Sequence, residues 1–234
     1  MITVSGLGAV RGSRTILREI SLELHPGIIG LVAPNGSGKT TLLESLAQPW
    51  DKRVKGSVLL NGDIPAPHAW ERSVYYLPSA NEALEPSMTG RQHAELAKKL
   101  WSSTAKTEIV AAACGSSEIL DIPTHKCSQG MKQLIAITVA MCTGVKLLLL
   151  DEPLSALDPT NVAHVATALR RYAREGLTVL MSTHNLTNVD TSCDKVIFIN
   201  DGTVGAIGGD GERRSCLEIY RELYEKGGAC SAGQ

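Results

Sequence analysis

Ala33-Pro34-Asn35-Gly36-Ser37-Gly38-Lys39-Thr40 joins an apolar run to a helical one and points to the architecture of the whole chain. It follows the apolar run Ile28-Ile29-Gly30-Leu31-Val32 and precedes a helical stretch from Thr41 to Gln48. A strand, a glycine-rich loop and a helix in that order form a phosphate-binding loop. The glycines let backbone N–H groups turn toward one anion, and the helix N-terminus adds partial positive charge. Lys39 is expected to reach the terminal phosphates and the Thr40 hydroxyl to ligate Mg²⁺. Asn35, Gly36, Ser37, Gly38 and Thr41 belong to the same expected cradle. Ala33 stands where the usual motif has its first glycine; Gly36 and Gly38 still form the nest.

A second segment strengthens this reading. Leu147-Leu148-Leu149-Leu150 runs into Asp151-Glu152-Pro153. A short, wholly apolar run suits a strand buried on both faces of a parallel sheet. Asp151 then emerges at the strand's carboxyl end, where open α/β sheets bind ligands. An acid there holds Mg²⁺ through water, and Glu152 is placed to polarise an attacking water as general base. Alone, an apolar run ending in two acids is only a strand end. Beside a phosphate loop it points to nucleotide hydrolysis.

With these segments and three further ones, the chain resembles the ATP-binding cassette (ABC) family over roughly residues 2–210. Cys127-Ser128-Gln129-Gly130-Met131, followed by Lys132-Gln133, falls where that family has its Leu-Ser-Gly-Gly-Gln signature. Ser155-Ala156-Leu157-Asp158 looks like the D-loop, and Ser182-Thr183-His184 like the switch histidine at a strand end. The resemblance implies that Ser128, Gly130 and the helix amino end face the γ-phosphate held by a second subunit, a task suited to a hydroxyl and a helix dipole. It implies that Asp158 organises the dimer interface and that His184 contacts the γ-phosphate. The signature helix also reads as a capped core helix, with Ser128 as N-cap and Met131, Leu134, Ile135, Val139 and Cys142 as its apolar stripe.

The chain departs from the family pattern at several places. Val74-Tyr75-Tyr76-Leu77-Pro78 resembles the strand before the Q-loop, but Ser79 stands where the family has a glutamine that reaches the Mg²⁺ site. Serine is shorter and would act only through a water. Gln129 and Met131 replace two signature residues. Arg11 stands where an aromatic residue stacks on adenine; a planar guanidinium stacks on a base as well, or it is solvated and contributes nothing.

The 234 residues allow one domain or a compact two-lobed one, and a hydrophobic share of 43% supports a sizeable core. The net charge of −1 gives no global pull toward nucleic acid or acidic lipid. No run approaches the roughly 18 apolar residues needed to cross a bilayer, and no signal peptide is expected at Met1. The six cysteines form no Cys-x-x-Cys pair and read as reduced thiols. Trp50, Trp70 and Trp101 read as packing residues.

The fold class expected is α/β: a P-loop (RecA-like) parallel-sheet core with an antiparallel β subdomain and an inserted α-helical subdomain. Ser21–Leu24 and Ser57–Leu60, with the turn signal Asn61-Gly62, mark the β subdomain. Residues 80–142 lack strand signals; Ala94, Ala97, Leu100 and Trp101, and apolar residues from Ile109 to Ala113, recur at helical spacing. Asn161 to Ala173 reads as a helix, and Thr178–Ser182 and Val196–Asn200 as strands of the core. Residues 1–210 form the expected nucleotide-binding domain. Residues 211–234 form a tail in which Leu217, Tyr220, Leu223 and Tyr224 make a short amphipathic helix, expected to dock on its own domain, with contact to a partner subunit as the lesser alternative.

What the resemblance implies is an ATP- and Mg²⁺-dependent ATPase subunit of a membrane transporter. It would pair with a second copy or a similar chain and push on a separate membrane-spanning permease, at the cytoplasmic face and peripheral through that partner. Docking is expected near Ser79 to Arg91, with Leu84 and Met88 accepting a partner helix. The short length leans toward an exporter. The alternative is a soluble ABC ATPase acting in assembly or on nucleic acid; the chain has no tandem cassette, coiled-coil insertion or basic stripe to favour it.

Overall fold

The computed structural model describes residues 1–78, 80–184, 186–209 and 214–225. Its strands are β1 (Ile2–Arg11), β2 (Arg14–Leu24), β3 (Gly27–Val32), β4 (Val54–Leu60), β5 (Val74–Leu77), β6 (Leu147–Leu150), β7 (Thr178–Thr183), β8 (Lys195–Asn200) and β9 (Thr203–Gly209). Its α-helices are α1 (Lys39–Ala47), α2 (Pro67–Glu71), α3 (Ala80–Ala83), α4 (Gly90–Trp101), α5 (Thr107–Cys114), α6 (Gln129–Cys142), α7 (Pro159–Arg174), α8 (Leu186–Ser192) and α9 (Cys216–Tyr224). Two sheets result. β2-β1-β4 is antiparallel; β5-β6-β7-β3-β8-β9 is parallel apart from β9, which runs antiparallel to β8.

The four leucines of β6 explain how the layers meet. Side chains alternate across a strand, so Leu148 and Leu150 enter one core while Leu147 and Leu149 enter the other. The first core joins the sheet to α4, α5, α6 and α7 through residues such as Ala94, Val110, Ile135 and Val165. The second joins the opposite face to α1 and the antiparallel sheet through Leu42, Leu43, Leu46, Leu17 and Ile20. Trp70 is buried here, and its indole N–H donates to the Leu46 carbonyl at 2.9 Å.

The structure holds an antiparallel sheet and a run of helices from α3 to α6, and it differs from the sequence expectation at particular residues. Asn61 and Gly62 take positive φ of 54° and 93° in the turn that leaves β4. β1 has no clean alternation in the sequence because register shifts between Val4, Leu7 and Ala9 break it. β9 carries three glycines and is held by its pairing with β8. Trp50 is 45% exposed and is not a packing residue; it lies just beyond the end of α1. Leu100 and Ile109 lie on the outer faces of α4 and α5, exposed, while Ala94, Ala97, Val110 and Ala111 face inward.

Helix α9 docks on its own domain through Cys216 and Ile219, with Tyr220 and Leu223 alongside, against Val32, Val196 and Phe198. Leu217 points outward instead of joining that face. The Tyr224 hydroxyl anchors the end of the helix by donating to the Ile199 carbonyl at 2.6 Å. Ser215 starts it with a reciprocal cap involving Glu218.

Candidate active site

The carboxyl ends of β3 and β6 open into one cleft of about 450 Å³, and β7, between them in the sheet, ends beside it. These strands are parallel, so their carboxyl-terminal loops all emerge at the same end of the sheet. β3 delivers the glycine-rich loop, β6 delivers Asp151 and Glu152, and β7 delivers His184.

Gly36 and Gly38 take φ of 80° and 103°, a region that costs other L-residues about 1–2 kcal/mol. Gly38 caps α1 with its backbone alone; no side chain caps this helix, and its first turn carries no acid. The leading N–H groups of α1 are thus left for a ligand, and the helix field favours an anion there. By contrast α4, α6, α7 and α9 all begin with a side-chain cap. Lys39 Nζ curls into the loop and donates to the Ala33 carbonyl at 2.7 Å and the Pro34 carbonyl at 3.2 Å. Burial lowers the Lys39 pKa, while the nearby carboxylates of Glu152 and Asp151 oppose that shift.

The acid pair is held as a unit. Thr40 Oγ1 donates to Asp151 Oδ2 at 2.6 Å, which joins the phosphate loop to the end of β6. Buried Ser182, on β7, donates to Asp151 Oδ1 and accepts the Glu152 backbone N–H at 2.8 Å. Glu152 itself has φ 48°, the left-handed region, and this bond fixes it there. His184 Nδ1 lies 2.9 Å from Glu152 Oε2. Lys39, Thr40, Asp151, Glu152 and His184 therefore form one group, able to hold phosphates, a hard cation and a water beside a carboxylate.

Other candidates from the sequence lie elsewhere. Ser128 caps α6, accepting the Met131 N–H at 3.3 Å; its side chain is exposed and does not line the cleft, although the next residue, Gln129, does. A Cβ on Gly130 would stand 3.0 Å from the Ala156 carbonyl, so this glycine lets the start of α6 close on the segment after Glu152. Asp158 caps α7 by accepting the Thr160 and Asn161 N–H groups at 2.9 and 3.0 Å. The Asn161 N–H in particular holds its carboxyl below the usual carboxylate range.

Arg11 ion-pairs with Glu44 of α1 and lines an adjoining pocket of about 300 Å³ that shares Thr41 with the cleft. Ser37 lines a third pocket, on the β8–β9 turn side of the loop. Ser79 lies outside the described residues. Leu84 is buried among the helices of its lobe and is not free to accept a partner, whereas Met88 is half-exposed.

Two residues matter more than their place in the sequence suggests. Ser182 reads there only as the first letter of Ser-Thr-His, and a strand serine gives no sign that it holds two acids. Gln133 reads there only as a residue just past the signature; it lines the cleft beside Glu152.

Comparison with known proteins shows the family to which the chain belongs. The sequence model of a family described as ABC transporter matches residues 17–155. An uncharacterised ABC transporter ATP-binding protein of Bacillus subtilis (strain 168), YdbJ, is 33% identical, covering 88% of this chain and 68% of that protein. The L-cystine import ATP-binding protein TcyC of the same organism is 30% identical, covering 87% of this chain and 88% of that protein. The solved structure of an ATP-binding subunit of an ABC transporter superposes with a TM-score of 0.83 over 95% of this chain and 99% of the other, at 24% identity, which shows the shared fold. The chain belongs to the ABC transporter family, as its ATP-binding, ATP-hydrolysing subunit.

Proposed function

We propose that this chain hydrolyses Mg²⁺-bound ATP in the cleft and that closure of two such chains drives a separate membrane permease. The observation that carries the reading is the convergence of Lys39, Asp151, Glu152 and His184 at one end of the parallel sheet. The uncapped start of α1 binds the phosphates, and Lys39 exchanges its two loop carbonyls for phosphate oxygens. Glu152 takes the proton of the attacking water as its oxygen bonds to the γ-phosphorus. The bond to the β–γ bridging oxygen breaks, and ADP departs with that electron pair. His184 turns from Glu152 to the γ-phosphate and orients the water.

The Thr40 hydroxyl and the Asp151 carboxylate meet at 2.6 Å, an all-oxygen pair that fits a hard cation shared with substrate phosphates. Mg²⁺, when bound, would neutralise charge growing on the phosphate oxygens. Ser128, at the amino end of α6, is exposed and does not line its own cleft. In this reading it completes the cleft of a second subunit, with Gly130 and Asp158 at the same contact.

No helix among the described residues is long and apolar enough to cross a membrane. In this reading the pore belongs to a multi-span partner, and the chain sits peripherally on that partner at the cytoplasmic face. The partner's contact lies near residues 80–91, on Met88 and its exposed neighbours. Affinity purification of the full chain from detergent-solubilised native membranes tests this. Recovery of a multi-span protein with Mg²⁺-dependent ATPase activity is the expected result, and recovery of soluble partners alone would sink the transport reading.

A further inference from the structure

We propose that Gln133 is a positioning residue for hydrolysis, its side-chain amide donating to the Glu152 carboxylate when His184 turns to the γ-phosphate. The inference rests on the ATPase reading above.

Gln133 is 4% exposed, and its Nε2 is the one buried side-chain nitrogen or oxygen among the described residues without a hydrogen-bond partner. A buried donor left unpaired opposes folding. The other buried polar side chains at this helix are satisfied. Thr138 bonds to the Leu134 carbonyl and to Ser116, and Thr143 bonds to the Ala140 carbonyl. From Gln133 to Cys142 the helix is buried at every residue, so the position would accept an apolar side chain. An amide is nevertheless found where the helix passes the cleft.

The cleft it passes also holds the proposed catalytic acid. Gln133 lines the cleft together with Asp151, Glu152 and Ser155. The close approach of Gly130 to the Ala156 carbonyl locks the start of α6 to the segment beyond Glu152, which keeps the amide within the same neighbourhood. Other donors near Glu152 are committed. Lys39 is held by two loop carbonyls and is required by the phosphates, and His184 is the present partner of Glu152. Once His184 engages the γ-phosphate, Glu152 needs a donor that fixes its carboxylate without carrying a proton to it. An uncharged amide on a buried helix suits that task.

Gln133→Leu and Gln133→Met test this in the full-length protein. Both replace an unpaired buried donor with an apolar side chain of similar length, so thermal stability should be unchanged or raised. The expected kcat for ATP falls by about 10–100-fold, the worth of one hydrogen bond to a charged group. The KM for ATP and the affinity for a fluorescent ATP analogue should stay within about twofold, because the phosphate loop is untouched. Wild-type kcat in either folded variant would overturn the proposal, as would a fall in kcat that tracks a fall in melting temperature. Glu152→Gln is measured in parallel. If that variant hydrolyses ATP normally, the assignment of Glu152 fails; if it is inactive while both Gln133 variants are normal, only the role of Gln133 fails.

Discussion

Ser182→Ala removes one oxygen that serves two acids, and its effect can be worked from the bonds it makes. The hydroxyl donates to Asp151 Oδ1 and accepts the Glu152 N–H at 2.8 Å, in a fully buried position. The bond to the charged carboxylate contributes about 1.5–3 kcal/mol and the backbone bond about 1 kcal/mol. Asp151 keeps its Thr40 donor at 2.6 Å, so the carboxylate is not stranded and the lower end of that range applies. The sum is a loss of about 2–3 kcal/mol, which lowers the melting temperature of a chain this size by roughly 5–10 °C. The catalytic effect is separate. Glu152 is held at φ 48° by that bond, and a carboxylate displaced by about 1 Å loses on the order of 100-fold in rate. Ser182→Ala should therefore lower kcat by about 10–100-fold and raise the Mg²⁺ concentration needed for half-maximal rate. Differential scanning calorimetry and steady-state ATPase assays at graded Mg²⁺ read both effects. A variant with wild-type melting temperature and kcat would refute the view that Ser182 fixes the acid pair.

A tyrosine anchor and a helix cap give two further tests. Tyr224→Phe deletes the bond to the Ile199 carbonyl and should cost about 1 kcal/mol, roughly 2–4 °C in melting temperature, with ATPase activity intact. Asp158→Ala removes the cap of α7. Because hydrogen bonds from Asn161 and Thr160 depress the folded-state pKa of Asp158, its contribution is fully present above the ordinary carboxylate pKa. That contribution is lost as pH falls through the depressed value. The gap in melting temperature between wild type and Asp158→Ala should thus be full at pH 7 and close below about pH 4; a gap independent of pH would contradict the capping role.

The parts legible in the sequence are those set by local chemistry. The phosphate loop announces itself through glycines that must take positive φ and a lysine beside a helix start. The buried strand announces itself through Leu147 to Leu150, which need no alternation because both faces are covered. The antiparallel sheet is only half legible, since bulges in β1 and glycines in β9 erase the two-residue period that marks a strand. Helix faces are not legible at Leu100, Ile109 and Leu217, where helical spacing says that residues share a side but not that the side is covered.

At the site, Lys39, Thr40, Asp151, Glu152 and His184 are legible from sequence order, and they converge because parallel strands end together. Ser182 and Gln133 are not legible as site residues. Their importance lies in bonds made or left unmade across about 30 and 20 residues of chain, which only the fold brings together.

In the proposed mechanism Glu152 drives hydrolysis in a cleft completed by Ser128 of a second subunit. Sedimentation of Glu152→Gln with and without Mg²⁺-ATP, beside the same variant carrying Ser128→Arg, tests it most directly. Glu152→Gln should bind ATP without turnover and double in mass only when ATP is present, while the added Ser128→Arg should abolish the dimer and leave monomeric binding. Continued ATP turnover by Glu152→Gln, or a dimer indifferent to both ATP and Ser128→Arg, would contradict it.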